Sequence, residues 1–397
     1  MKRGAWHQFG DRSQKLALEQ LENGVGVGVI FSVRDLKWNN ALAYAQRYKQ
    51  LGADVLIDQQ FYNPNFVNRN LESYPIFRYR QAISQLAQLS DVDLINIANE
   101  LRNYHTQIGA NGLIAPAVMY QAGRSDITEL NRRLFEVSKT VGDEIGIPTY
   151  ATVMLDRSVT ASNQTVNKII SEVTALNSDG WYFGFEFNDE RIPSSYELIL
   201  RCCVAGLTLA CTGKPVLYSY AGPMALLALG FGATGAAIGH SQNLWHFTRQ
   251  RFEQTVRSGG GDAPPRFFSK SLWGTIIYPD ETAQLSANLR DRILNQSPYS
   301  IPTATGLDWS RWDANKHIVS AICETVTEIA NQSDDPRNNA QSAIDILGNA
   351  IQLHQEISDE GIILRDSSNN YQSNWKLAVE NLLNDNSDDY DLLDLLS

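Results

Sequence analysis

Cysteine is scarce in this chain, and its four residues, Cys202, Cys203, Cys211 and Cys323, form no CxxC pair. No HxH, HExxH or Cys/His cluster occurs either, and His240 and His246, six apart, are off helical register for joint ligation. No metal and no cofactor is therefore expected, and the cysteines read as small buried apolar residues of a reducing compartment. Phosphate-binding glycine motifs are also missing. The GVGVG at 24–28 lies inside a strand-like run, and the GFGATGAAIG at 230–239 precedes a strand instead of opening a helix. No GxSxG or Cys–His nucleophile pattern occurs. Long apolar runs are absent: no window approaches the roughly 18 residues of a membrane span. The opening MKRGAWHQFGDRSQK lacks the apolar stretch of a signal peptide. The expectation is a cytoplasmic protein with no membrane partner. Basic residues are outnumbered, 33 against 44 acidic, for a net charge of −11. That argues weakly against nucleic acid. Six of the eleven charges, however, come from Glu380, Asp385, Asp388, Asp389, Asp391 and Asp394, which leaves −5 on the rest and room for a basic face.

What the chain does have is alternation. Short runs rich in β-branched and aromatic residues recur at 25–33 (VGVGVIFSV), 53–59, 112–119, 148–155, 181–187, 215–220 and 235–239, with 272–278 (LWGTIIY) as an eighth candidate. Helical patterns separate them, notably over 126–145, 164–176 and 194–210. Strands alternating with helices imply βαβ units and a parallel sheet. Seven or eight such units favour a closed (β/α)8 TIM-type barrel over an open doubly wound sheet. Beyond residue 279 the pattern is purely helical. The expected organisation is a catalytic barrel over 1–279 and a helical C-terminal appendage with an acidic tail over 280–397.

In such a barrel, polar residues at the C-terminal strand tips surround one bowl. Three carboxylates each end an apolar run: Asp58 after VLI, Asp156 after VML and Glu186 after FGF. A carboxylate there is costly to bury unless paired or functional, and carboxylates brought together push their pKa values apart. They are the catalytic candidates, although Asp156, followed by Ser158, equally fits a helix N-cap. Around them, Phe61, Tyr62, Tyr120, Tyr218 and Tyr220 offer flat faces, while Gln59, Gln60, Asn188 and Gln242 offer amide edges. Arg157 and His240 complete the expected substrate-binding set. Rings and amides together suit a planar heterocycle; the plainer alternative is barrel wall and loop solvation. Two arginine-rich stretches interleaved with aromatics suit a polyanion: Arg69, Arg78 and Arg80 in one, and Arg249, Arg251, Arg257, Arg266 and Lys270 in the other. Solvated helix faces are the alternative for each.

Three stretches bear a family likeness. LGADVLIDQQFYNP (51–64), SDGWYFGFEFND (178–189) and GKPVLYSYAGPMALLALGFGATGAAIGHSQN (213–243) resemble, respectively, the Asp-tipped strand, the glycine-bearing strand lying against the base, and the Lys-Pro strand with its following helix and strand in the tRNA-guanine transglycosylase barrels. That superfamily includes DNA-acting relatives that handle modified bases, some in phage-related gene clusters. The resemblance implies chemistry at an N-glycosidic bond, with Asp58 as the matched base-side or water-activating acid and Asp156 and Glu186 next. The chain departs from the family in lacking its cysteine-rich zinc site and in offering Gly239–His240 where the family's nucleophilic Asp ends a late strand. The resemblance then implies either hydrolytic excision of a modified base, leaving an abasic site, or base exchange, with the base flipped from DNA in preference to RNA. The runner-up is a carboxylate-dependent barrel hydrolase or lyase acting on a free small molecule. A third reading is a silent barrel that scaffolds partners through its helical end.

Overall fold

A computed structural model describes residues 1–84, 89–187, 191–253, 264–294, 299, 309–365, 367 and 369–384. Eight parallel strands form one sheet: β1 (Gly4–Gln8), β2 (Gly28–Ser32), β3 (Asp54–Asp58), β4 (Leu113–Ile114), β5 (Thr149–Leu155), β6 (Gly180–Phe185), β7 (Val216–Tyr218) and β8 (Gly235–Gly239). Their order is β3-β2-β1-β8-β7-β6-β5-β4. At the β3–β4 seam Asn111 links the two edges: its N–H donates to Val55 O at 3.0 Å, and its Oδ1 accepts from Val55 N–H at 2.9 Å. The molecule is a (β/α)8 barrel with a helical C-terminal part.

The helices of the ring are α1 (Ser13–Glu22), α2 (Trp38–Gln50), α3 (Arg80–Ser84), α4 (Asp91–Ile108), α5 (Ser125–Ile145), α6 (Arg157–Thr160), α7 (Asn163–Thr174), α8 (Tyr196–Ala210) and α9 (Ala225–Gly230). After β8 come an antiparallel hairpin of β9 (Arg266–Ser269) and β10 (Gly274–Ile277), then α10 (Ala287–Ile293), α11 (Arg311–Gln332), α12 (Pro336–Asp359) and α13 (Asn369–Asn384). Helix α11 lies against β1 and β8 and touches α1 and α9, so it occupies the ring position that follows β8. Helix α13 is tied to the β6–α8 connection by Trp375, whose Nε1 donates to Pro193 O at 2.7 Å.

One expected strand is corrected. Residues 272–278 do not join the barrel; Gly274–Ile277 pairs antiparallel with Arg266–Ser269. The eighth barrel position belongs to Gly4–Gln8, which pairs parallel with both β2 and β8. Its sequence, GAWHQ, has no β-branched residue and is polar at two of five positions, so it carries little strand signal. Its place is fixed by packing. Trp6 points into the barrel floor between Gly28 and Gly235, where a Cβ would come within 2.5 Å and 2.9 Å of the indole.

Alternation along the strands divides the core in two. An inner cluster fills the barrel: Trp6, Ile30, Leu56, Ile114, Tyr150, Met154, Tyr182 and Leu217, topped by Tyr62, Tyr220, Phe247 and Phe252. The outer faces pack on the helices in one continuous layer. Strand β4 is short because Pro116 brings no N–H to the ladder. The chain rejoins the sheet only at Tyr120, which bridges to Leu155.

Candidate active site

Asp58 sits at the tip of β3, on the same face as Leu56, so it points into the barrel, 1% exposed. Three phenols from three segments close on its carboxylate. Tyr62 OH donates to Oδ1 at 2.6 Å, while Tyr182 OH (β6) and Tyr220 OH (after β7) donate to Oδ2 at 3.1 and 3.2 Å. Gln60 adds its backbone N–H to Oδ1 at 3.2 Å and its amide to Oδ2 at 3.3 Å. Burial acts against all of them: it pushes the Asp58 carboxyl up to about 6, with the Tyr62, Tyr182 and Gln60 hydrogen bonds pulling the other way. A carboxyl poised there exchanges protons near neutral pH. The same burial holds Tyr62, Tyr182 and Tyr220 well above the usual phenol range, so they act as donors.

The surrounding groups are strung together. Gln60 Oε1 accepts from Ser32 Oγ at 2.9 Å and Arg34 N–H at 3.0 Å, and its Nε2 donates to Tyr220 OH at 2.9 Å. Both Gln60 and Tyr220 hold left-handed backbone, φ 51° and 50°. Such conformations cost side-chain-bearing residues of order 1–3 kcal/mol each and cluster where function demands them. Gln8 Oε1 lies 3.1 Å from Tyr182 OH, while its Nε2 is buried without a hydrogen-bond partner.

The site is roofed by the segment after β8. Phe247 and Phe252 pack edge-on against Tyr62, at centroid distances of 5.4 and 4.9 Å, and Phe247 reaches Tyr220 at 5.8 Å. Glu186 fastens this roof. It bridges to Phe247, its Oε1 accepts from Arg249 N–H at 2.6 Å, and its Oε2 accepts from Arg157 N–H at 2.9 Å. Burial raises the Glu186 carboxyl as well, against those backbone bonds.

The three expected carboxylates therefore do different things. Asp156 caps α6, its Oδ1 accepting from Ser158 N–H at 2.9 Å and Ser158 Oγ at 2.6 Å, with Arg249 Nη1 3.8 Å from Oδ2. Asp156 and Glu186 share the neighbourhood of Arg249, whereas Asp58 is held by Tyr62, Tyr182, Tyr220 and Gln60. The aromatic set also divides. Tyr62 and Tyr220 face inward. Phe61 stacks on Phe77 at 4.5 Å, Tyr120 packs in the outer core, and Tyr218 takes the Cys202 thiol at 3.6 Å, all behind the sheet. Gln59 also points outward, accepting from Tyr104 OH of α4. Gln242 pairs with Arg191 at 2.9 Å on the rim, and exposed Arg157 donates its backbone N–H to Glu186. His240 lies over β8 with Nδ1 2.8 Å from Ser13 Oγ, and burial lowers it to about 4, leaving it neutral at pH 7. Asn188 and Arg257 lie outside the described residues.

The basic residues are scattered further. Arg69 is exposed, and Arg80 half-buried, on the excursion after β3, where Arg78 pairs with Glu100. Lys270 pairs with Glu324 at 2.8 Å, and Arg249 with Glu253 at 3.0 Å. Arg266 lies on the rim shared with Gln242. Arg251 alone of the expected set reaches the Asp58 surroundings: its guanidinium lies 5.8 Å from the Tyr220 ring and 2.5 Å from Asp35. Among the described residues no three His, Cys, Asp or Glu side chains gather as a metal site.

The chain matches no protein-family model and no curated protein. The geometry at the C-terminal end of the barrel strands is one buried carboxyl inside a ring of phenols. Tyr182, Gln8 and the Phe247–Phe252 roof were not singled out by the sequence. For Tyr182 the signal was present, since strand parity places it on the face that carries Glu186 two residues past Gly184.

Proposed function

We propose that this protein is an enzyme that cleaves the N-glycosidic bond of a nucleobase in nucleic acid, DNA before RNA, with Asp58 as its acid–base group. The observation that carries the reading is Asp58 itself, buried among Tyr62, Tyr182 and Tyr220 with its carboxyl pushed up to about 6. In its protonated form such a group gives its proton to the departing base. As a carboxylate it stabilises the oxocarbenium-like sugar or takes a proton from the attacking water. Water ends on C1′ and the base leaves with a proton. The phenol rings supply the faces that hold a flipped planar base, once the Phe247–Phe252 roof lifts. The likeness of residues 51–64 to the transglycosylase barrels points the same way.

The test is incubation with DNA carrying modified or unmodified bases, followed by alkaline cleavage at abasic sites. Strand breaks with wild-type protein and none with Asp58→Asn, its fold intact by circular dichroism, are expected. Full activity of that variant removes Asp58 from the mechanism, and absence of breaks on every substrate removes the reading. A second reading, hydrolysis of a free anionic small molecule, draws on the roof, which closes Asp58 off from any bulky strand in this conformation. Free nucleosides and nucleotides in the same assay, followed by release of the base, separate the two.

A further inference from the structure

A hollow at the barrel mouth lies over the ends of β8, β1 and β2. It holds about 570 Å³, and among the described residues its lining includes Arg12, Arg34, Arg251 and Arg311 together with the carboxylates of Asp11 and Asp35. That volume is in the range of pockets for single small ligands. Through Ser241, Asn243, Arg311 and Asn315 it runs into a second hollow of about 180 Å³, whose rim adds Arg191 and Arg266. Among the described residues the linings of the two hollows hold six arginines and two aspartates, in a chain of net charge −11.

The groove is built. Asp35 fixes two of the arginines, with Oδ1 3.1 Å from Arg34 Nη1 and Oδ2 2.5 Å from Arg251 Nη2, and it takes Ser32 Oγ at 2.7 Å. Among the described residues, no hydrogen-bond partner meets the buried Nε–H of Arg34 or that of Arg251. A buried guanidinium donor left unmatched is unfavourable, and an anion oxygen is what satisfies it. Arg12 is held at the lip by left-handed backbone, φ 61°. The positive end of the 22-residue helix α11 supplies Arg311 and Trp312, and the Trp312 ring is 38% exposed. Arginines that grip phosphate beside an open indole face are the parts of a single-strand site: backbone contacts plus a platform for an unstacked base.

The groove touches the Asp58 network twice. Arg34 N–H and Ser32 Oγ bond Gln60, which bonds Asp58; Arg251 covers the ring of Tyr220, which also bonds Asp58. We propose that this groove binds the sugar–phosphate backbone of a single-stranded nucleic acid segment, Trp312 stacking on a base adjacent to the nucleotide delivered to Asp58. The inference rests on the reading above for its substrate class, but its test does not depend on turnover.

The experiment is fluorescence anisotropy of a labelled oligothymidylate titrated with full-length protein over a series of salt concentrations. Wild type is compared with the double variant Arg12→Ala/Arg311→Ala, with Trp312→Ala, and with Arg132→Ala on the distant face of α5. Losing two phosphate contacts lowers the slope of log affinity against log salt by about 1.4, at ~0.7 per contact for single strands. Losing a stacking platform weakens binding roughly tenfold and leaves the slope unchanged. Arg132→Ala binds as wild type. No binding at low salt, an unchanged slope in the double variant, equal weakening by Arg132→Ala, or thymidine monophosphate competing as well as the oligomer overturns the proposal. Excision assays on the same proteins separate the two ideas. Strand binding through the groove without abasic sites sinks the glycosidic reading alone, while abasic sites made at wild-type affinity by the groove variants sink the groove alone.

Discussion

The burial of Asp58 makes a prediction about stability whose sign decides between two opposing effects. The structure sets the loss of water, which favours the neutral acid, against hydrogen bonds from Tyr62, Tyr182 and Gln60, which favour the carboxylate. With burial dominant, the folded chain holds its proton up to about pH 6, whereas the unfolded chain releases it near the ordinary value of 3.8. Below pH 4 both states are protonated and ionisation costs nothing. Between pH 4 and 6 only the unfolded state ionises, so it gains. Above pH 6 both are ionised and the full penalty stands, about 3 kcal/mol at ~1.36 kcal/mol per pKa unit. Asp58→Asn cannot titrate at this position. Its unfolding free energy minus that of wild type therefore rises by about 3 kcal/mol from pH 3 to pH 7. Over 397 residues, with an unfolding entropy of ~2.1 cal/mol/K per residue, that equals a relative gain of roughly 4 °C in melting temperature. Urea denaturation of both proteins at half-unit pH steps measures it, and because only the difference is read, the other carboxylates cancel. A difference that stays flat with pH refutes the raised carboxyl. One that falls as pH rises shows that the phenol and amide donors outweigh burial, and Asp58 would then be a fixed anion with no proton to give at neutral pH.

Two further outcomes test the surroundings of Asp58. Asp35→Asn takes the negative charge from between Arg34 and Arg251 and should cost about 3 kcal/mol of stability in urea, the usual loss when a buried ion pair is broken from one side; a loss below 1 kcal/mol would mean that the arginines are already solvated. Glu186→Gln leaves one acceptor for the two backbone N–H groups of Arg157 and Arg249 and should weaken the roof by about 2 kcal/mol, as for a hydrogen bond to a charged group. Hydrogen exchange should then quicken at residues 247–252 but not in β1 or β2, and an unchanged rate there refutes the fastening role.

The alternation of apolar runs and helices was enough to read a parallel barrel, because βαβ periodicity is a local property of the chain. It failed where packing, not local composition, selects the strand. Gly4–Gln8 is held by Trp6 in a slot between two glycines, and Gly274–Ile277 has ordinary strand composition but an antiparallel partner. Asp58 was legible as an acid closing an apolar strand, and the capping role of Asp156 was legible from Ser158 two residues on. The faces of the aromatics were harder. Tyr218 and Tyr220 share parity, yet Tyr218 lies behind the sheet and Tyr220 inside it, since the strand ends at Tyr218 and the left-handed backbone at Tyr220 turns the ring inward. No spacing rule could unite Arg34 and Asp35 with Arg251, 216 residues away from Asp35.

Among the described residues, three of the four non-glycine residues with left-handed backbone, Arg12, Gln60 and Tyr220, gather at this one end of the barrel; the fourth, Trp273, turns the β9–β10 hairpin. Two of the three bond Asp58 or each other, and the third lines the arginine groove. Strain of order 1–3 kcal/mol at each residue, added to a carboxyl buried against its preference, is stability a scaffold has no reason to forgo. An apolar side chain at position 58 and glycine at 60 would relieve most of it. Concentrating these costs on a proton-holding group, beneath a roof fastened by one carboxylate and beside an arginine-lined groove, fits the chemical role proposed for this site. The substitution expected to abolish the proposed excision, Asp58→Asn, is accordingly the one whose stability relative to wild type is expected to rise toward neutral pH, and a protein in which those two effects part company would have its carboxylate there for structure alone.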